Sequence, residues 1–143
     1  MYGSLDISVS GMIAQRTRLD TVAANLANSD AILDADGNPN PFRRKIAILE
    51  AGNPSARSST GRELGVHVAG IAEDQGEFIK KWEPDSPYAR PEGDPDAGYV
   101  YYPNVSSMME NVDAVDAIRA YEANVMAAES AKAMVAQALR LIA

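Results

Sequence analysis

From Ser107 to the end of the chain the sequence contains neither glycine nor proline. This constrains the fold more than any other feature, because nothing along the run stops one continuous helix. Some 35 residues of helix are roughly 50 Å long at 1.5 Å per residue. Globular helices average about 11–12 residues, so one small core cannot cover such an element. Its start is marked by Pro103-Asn104 and by Ser107-Met108-Met109-Glu110. That is the form of a capping box, in which the serine oxygen accepts the third amide and the glutamate reaches back. Ala114, Ile118, Tyr121, Val125, Ala128, Val135, Leu139 and Ile142 then form a 3–4 spaced line, interrupted by Lys132. Further alanines, among them Ala117, Ala120, Ala131 and Ala138, fall on several faces and permit close approach by neighbouring helices. The helix needs more than one partner.

The N-terminal part has a matching pattern. Leu5, Met12, Leu19 and Leu26 recur every seven residues, with Val9, Ala23 and the intruding Arg16 at the alternate step, and Ile13 and Val22 broadening the stripe. Asn28-Ser29-Asp30 favour a helix end. A helix is expected from about Leu5 to about Ala27. Between the helices the chain turns to Gly, Pro, Asp and Ser, with strand-like runs at Lys45 to Glu50, Leu64 to Ile71 and Glu77 to Trp82. Asp36-Gly37-Asn38-Pro39 and Asn53-Pro54 read as turns, Ser55 to Gly61 as a flexible stretch, and Pro84 to Gly98 as an extended loop. The expected fold is mainly α with a small β insert. It divides into an N-terminal helix (1–30), a β-rich and looped middle (31–103) and a long C-terminal helix (104–143).

The chain of 143 residues carries a net charge of −7 and has no cysteine. The negative balance argues against a nucleic-acid partner, which the short Arg43-Arg44-Lys45 cluster does not overturn. Without cysteine there is no disulfide framework and no thiolate metal site. No segment has the roughly 18–20 apolar residues needed to span a bilayer. The N-terminus alternates polar and apolar residues where a cleavable leader would be apolar throughout, so export would need a route that leaves it uncut.

Catalytic chemistry finds little support. Asp34, Asp36 and Asn38 resemble the opening of a calcium loop, but Pro39 and Lys45 stand where that loop needs Gly and Glu, so a surface turn is expected. His67 lies within Val66-His67-Val68 with no nucleophile motif, and reads as a strand-surface residue. Asp113 and Asp116 share a helix face near a helix N-terminus, where they complement the dipole. Asn104-Val105-Ser106 matches a glycosylation acceptor only weakly. The sequence presents no active site, and no enzyme, metal or cofactor is expected. Surplus apolar surface on two terminal helices points instead to assembly. A fraying intramolecular hairpin, or a free-standing helical adaptor, are the alternatives.

Particular residues add to this. Ser10-Gly11-Met12, Ala14-Gln15, Arg18-Leu19-Asp20 and Ala24-Asn25-Leu26-Ala27-Asn28-Ser29 are similar to the N-terminal motif of the axial rod and hook proteins of the bacterial flagellum. Trp82-Glu83-Pro84 with Pro87, Gly98-Tyr99-Val100, Tyr102-Pro103-Asn104-Val105, and Arg119 to Val125 with Ala131-Lys132 and Met134 resemble the proximal rod proteins of the FlgC type. The sequence departs from that pattern at Phe42 and in the lengthened stretch from Tyr88 to Glu92. The resemblance implies that the terminal helices pair as an antiparallel coiled coil packed around a channel, with the β unit outward. The implied assembly interface is Leu5, Val9, Met12, Leu19, Asn25, Leu26 and Asn28 on the first helix, with Ile118, Tyr121, Asn124, Val125, Val135, Leu139 and Ile142 on the last. In the helix pair, Leu5, Val9, Met12, Leu19 and Leu26 would meet Ile118, Tyr121, Val125, Val135 and Leu139. Implied partners are other copies of the chain, the rod proteins FlgB, FlgF and FlgG, the export-gate adaptor FliE and the flagellar type III export apparatus. The implied location is the basal body, in a rod that crosses the periplasm and transmits torque.

Overall fold

The structure, a computed structural model, describes residues 2–142. Helix α1 spans Tyr2–Ala27, and helix α3 spans Ser107–Ile142, 36 residues and about 54 Å. Between them lie strand β1 (Lys45–Ala51), the short helix α2 (Ser59–Leu64), and strands β2 (Val66–Glu73), β3 (Ile79–Trp82) and β4 (Tyr99–Tyr102). The long helices and the small β middle are as expected. Two elements were not. Ser55 to Gly61 is not simply flexible: Ser58 caps α2, its hydroxyl accepting from the Gly61 amide at 3.0 Å while donating to Asp6. Leu64 therefore belongs to α2 and not to a strand. The run Tyr99-Val100-Tyr101-Tyr102 pairs antiparallel with β3, from Ile79↔Tyr102 to Trp82↔Tyr99.

The β-strands form two separate two-stranded sheets, β1-β2 and β3-β4. In β1, Lys45, Ala47 and Leu49 are half-buried while Ile46, Ile48 and Glu50 are exposed, the period-2 alternation of a sheet covered on one side. The covering element is α1, which packs on β1, α2 and β2. Ser10 fastens this contact, its hydroxyl accepting from the Val66 amide at 3.1 Å and donating to the Ile7 carbonyl. The loop from Glu83 to Gly98 is not extended. Glu83 N–H donates to the Gly98 carbonyl and Gly98 N–H to that of Arg90, folding the loop back on its strands. Gly98 has φ +80°, and a Cβ there would lie 2.6 Å from the Trp82 ring, so glycine is required twice over.

An adjoining side of α1 packs on α3. Asn25 meets Glu110, Arg18 meets Asp113 and Gly11 lies against Asn124, so positions rise along one helix as they fall along the other. Continuing that register sets Tyr2 level with Ala133, and the last turns of α3 run on past α1. The seam between the helices carries small buried residues, Gly11 and Ala14 on α1 and Ala117, Ala128 and Ala131 on α3. A Cβ at Gly11 would fall 2.6 Å from Asn124 Oδ1, and Asn124 is itself anchored by a 2.8 Å bond to the Ala120 carbonyl. Alanine at position 11 is therefore expected to lower stability by about 1 kcal/mol, despite a helix-propensity gain of similar size. The double variant Gly11→Ala/Asn124→Ala should recover that loss in urea unfolding. No recovery would mean that the close approach is not the cause.

Candidate assembly surfaces

A buried polar cluster joins the three parts of the chain. Asn25 in α1 donates from Nδ2 to the Lys45 carbonyl at 2.8 Å and accepts the Lys45 amide at 2.8 Å, so its side chain pairs with the start of β1 as another strand would. The same Nδ2 donates to Glu110 Oε2 at 3.0 Å. Glu110 is fully buried, and its other oxygen accepts from Arg44 Nε at 2.6 Å. Arg44 continues to Asp113 at 2.8 Å, and Asp113 to Arg18 at 3.0 Å. The Arg44 amide donates to Asn104 Oδ1, and Asn104 Nδ2 to the Asp74 carbonyl. Hydrogen bonding to Glu110, reinforced by three carboxylates, raises the Arg44 pKa above its usual value.

This arrangement corrects several expectations. Glu110 does not reach back to close a capping box: its carboxylate points into the interior, and its amide donates to the Ser106 carbonyl. Asp113 serves an ion-pair network beyond any complement to the helix dipole, whereas Asp116 is exposed. Asn104 is held on both ends of its amide, which weighs against glycosylation there. The Arg43-Arg44-Lys45 cluster acts inside the fold, with Arg43 over the Phe78 ring at 4.4 Å and Lys45 over Phe42 at 5.6 Å. The sequence signal for the cluster was the pair of polar side chains, Arg18 and Asn25, lying in an otherwise small or apolar stripe.

The expected interface residues divide between two environments. Asn25 is buried, and Leu5, Met12, Leu19, Asn28, Asn124, Val125 and Val135 are half-buried. Val9, Leu26, Ile118, Tyr121 and Leu139 are exposed, Val9 at 45%, Ile118 at 44% and Leu139 at 62%. The expectation for the Ile142 side chain falls outside the described residues. The helix pair is thus not built from the large aliphatics of both stripes. Alanine gives the closer fit, so α3 turns its Ala-rich face to α1 and leaves larger residues outward. Met108, Val115 and Met126 stand on one line of that outer face, with Val112 beside it, all exposed.

The positions considered for chemistry have structural roles. Asp34 Oδ1 accepts the amides of Asp36 and Asn38, which makes the acidic segment a self-satisfied turn. His67 Nδ1 lies 2.6 Å from the Gly52 carbonyl, at the strand surface. Among the described residues no group of three or more metal-ligating side chains comes together, and no helix is long and apolar enough to cross a membrane.

The second sheet borders a cleft of about 820 Å³ between the turn at Pro39 to Pro41 and the loop at Pro87 to Pro91. Phe78, Tyr88 and Tyr101 contribute aromatic surface, and Arg43, Lys80 and Arg90 contribute charge. Behind its wall, Asp96 accepts from Tyr101 and from Lys80 at 3.0 Å. The Tyr101 bond, then that of Lys80, holds the Asp96 carboxyl below its usual pKa of 3.8, while the same contact raises that of Tyr101. A carboxyl depressed in the folded state stabilises above its unfolded pKa and loses that contribution as pH falls through the lower folded value. Fluorescence of Trp82, the single tryptophan, which stacks edge-on with Tyr99, should therefore hold steady on acidification and change below pH 3.8. Asp96→Asn should flatten this response. An identical acid response in the variant would exclude Asp96 as its source.

Two terminal helices joined by a polar cluster, with apolar residues turned outward, are the architecture of a structural protein. A family model described as flagella basal body rod protein matches residues 5–31. Over 98% of its length the chain is 37% identical to the flagellar basal-body rod protein FlgC of Bacillus subtilis, covering 97% of that protein. It is 40% identical to the FlgC of Aquifex aeolicus over 89% of this chain and 86% of that one, and 36% identical to that of Salmonella typhimurium over 95% and 93%. The chain belongs to the FlgC family of flagellar basal-body rod proteins. It is a structural rod protein and not an enzyme, and likeness over nearly its full length leaves the free-standing adaptor without support.

Proposed function

We propose that the chain is a subunit of the proximal rod, the part of the drive shaft that crosses the periplasm, and that it transmits torque by packing alone. The observation that carries this reading is the outer face of α3, where Met108, Val112, Val115 and Met126 are exposed in a single chain. In the rod, α1 and α3 act as an antiparallel coiled coil, and neighbouring pairs cover these outer faces side by side around a channel, with the β unit outward. Val9, Leu26, Ile118, Tyr121 and Leu139, exposed in the lone chain, belong to this interface between subunits, along with the half-buried Leu5, Met12, Leu19 and Val125. Each covered apolar side chain contributes at roughly 25 cal/mol per Å², and repetition along a heterologous array turns a modest gain per contact into a stiff tube.

The neighbours in this reading are further copies of the chain, the rod proteins FlgB, FlgF and FlgG, and the adaptor FliE, reached by type III export without cleavage of a leader. The test is to restore a strain lacking its own copy with an epitope-tagged chain and to purify basal bodies. The tagged chain should co-purify with the rod and restore swimming. A chain that is secreted or cytosolic, and absent from basal bodies of motile cells, would overturn the reading.

A further inference from the structure

Residues 5, 9, 12, 16, 19, 23 and 26 of α1 follow a four-three spacing throughout, the seam of a two-stranded coiled coil. The chain itself uses only part of that seam, since Val9, Arg16, Ala23 and Leu26 are exposed. Residues 108, 112, 115, 119, 122 and 126 repeat the same spacing along the outer face of α3, and all six are exposed. Each line is apolar except at its middle. Arg16, with Asp20 beside it, interrupts the first, and Arg119 and Glu122 interrupt the second. Arg16 with Asp20, and Arg119 with Glu122, are spaced to pair along their own helices. Among the described residues neither pair closes, and none of the four exposed side chains has an ion pair or hydrogen bond within the chain.

We propose that the α1 line of one copy packs antiparallel on the outer α3 line of the next copy, with Arg16 paired to Glu122 and Asp20 to Arg119. The same register sets Met12 against Met126, Ala23 against Val115 and Leu26 against Val112, while Leu19 is level with the aliphatic stem of Arg119. The charges select both the occupant and the register. Sliding the contact by one heptad either way sets Glu122 against Val9 or Ala23 and Arg119 against Met12 or Leu26, and recovers at most one pair. A two-fold contact of α3 on α3 would pair Arg119 with Glu122, but it closes on itself and leaves the α1 line bare. The contact of α1 on α3 is heterologous, so each copy keeps a free line for the next. Within one chain Asn25 is level with Glu110 and Gly11 with Asn124. Across the contact they are level with Asp113 and Ala127, three residues further on. The next copy is thereby displaced by roughly 4.5 Å along the helices, and the array climbs. This inference rests on the rod reading, which supplies copies lying side by side in one orientation.

The chain has no cysteine, so two introduced ones report the contact. One tagged chain carries Ala23→Cys and a second, differently tagged, carries Val115→Cys, both at exposed positions. The two are co-expressed and purified basal bodies are oxidised. A disulfide-linked dimer bearing both tags is expected, and adding Arg16→Glu to the first chain should reduce it roughly tenfold, because like charges then face each other. Cross-linking of Ala23→Cys to Met108→Cys, or of Val115→Cys to Met126→Cys, in place of this product would overturn the register in favour of a shifted or a two-fold contact. A charge exchange needs no cysteine. Arg16→Glu alone and Glu122→Arg alone should each impair swimming without altering urea unfolding of the isolated chain, and the chain carrying both should swim again. Equal swimming in the single and double variants would overturn the pairing. Tagged chains present in basal bodies with neither cross-link nor rescue would overturn the contact and leave the rod reading standing. Absence of the tagged parent chain from basal bodies of motile cells would overturn the two together.

Discussion

Replacement of Glu110 by alanine is expected to lower the unfolding free energy of the chain by about 2–3 kcal/mol. Glu110 is fully buried and both groups that face it are donors, Arg44 Nε at 2.6 Å and Asn25 Nδ2 at 3.0 Å. Only an ionised carboxylate accepts from both at once. Alanine leaves Arg44 with one strong partner fewer in a partly buried site, and removing one member of such a pair costs more than the pair itself is worth. The Arg44 side chain keeps 22% exposure and its contact with Asp113, so the loss falls short of the 3–5 kcal/mol of a wholly buried pair. Glutamine is the sharper probe. It offers one acceptor where two are needed and sets its own N–H₂ against a donor, so Glu110→Gln should still cost about 1–2 kcal/mol. Arg44→Met/Glu110→Leu removes both partners and should recover most of the alanine loss, since Asp113 retains Arg18. Urea unfolding followed by far-UV circular dichroism measures all three. A glutamine variant as stable as the parent would mean that the carboxylate is not needed as a double acceptor.

The long helices were legible because their patterns are long: the run from Ser107 has no breaker, and Leu5, Met12, Leu19 and Leu26 repeat without a slip. What the repeat does not reveal is the direction each face points. A line such as Ile118, Tyr121 and Leu139 satisfies helical spacing wherever it is buried, and only the depth of the partner surface decides between it and a nearby alanine line. Here small residues keep the two helices close, with Gly11 against Asn124, and it is Ala117 and Ala128 that are buried while Ile118 and Leu139 stay exposed. The short elements were hidden for a different reason. Helix α2 has six residues, too few for a period, and exists because Ser58 caps it and Asp6 holds Ser58. Strand β4 has four residues between a proline-rich loop and Pro103, and it becomes a strand by pairing with β3. The polar cluster escaped because its members are far apart in sequence, with Asn25, Arg44 and Glu110 meeting only once the fold is complete. Propensity and spacing are local, whereas this site is made by tertiary contact.

A charge on the outer face of α3 is expected to abolish swimming while leaving the isolated chain as stable as before. Val115 and Met126 are 46% and 61% exposed, so aspartate at either position meets water in the lone subunit and changes its stability by about 0.5 kcal/mol or less. In the proposed rod packing the same carboxylate would enter a covered apolar contact, where an unpaired charge costs several kcal/mol in every subunit that carries it. That packing would multiply the cost, since it gives each copy neighbours on more than one side. Val115→Asp or Met126→Asp in a strain without its own copy should therefore give normal amounts of folded chain, no completed rod and no motility. Glu122, on the same side of the helix and already charged, supplies the control: Glu122→Asp should leave both properties unchanged. Parent-like motility in Val115→Asp and Met126→Asp would show that this face remains in water after assembly, and the contact between subunits would have to run through α1 and the half-buried seam instead. Loss of the folded chain itself would contradict the exposure on which the prediction stands. Separation of the two properties, stability kept and motility lost, is the signature of a surface whose partner is another subunit.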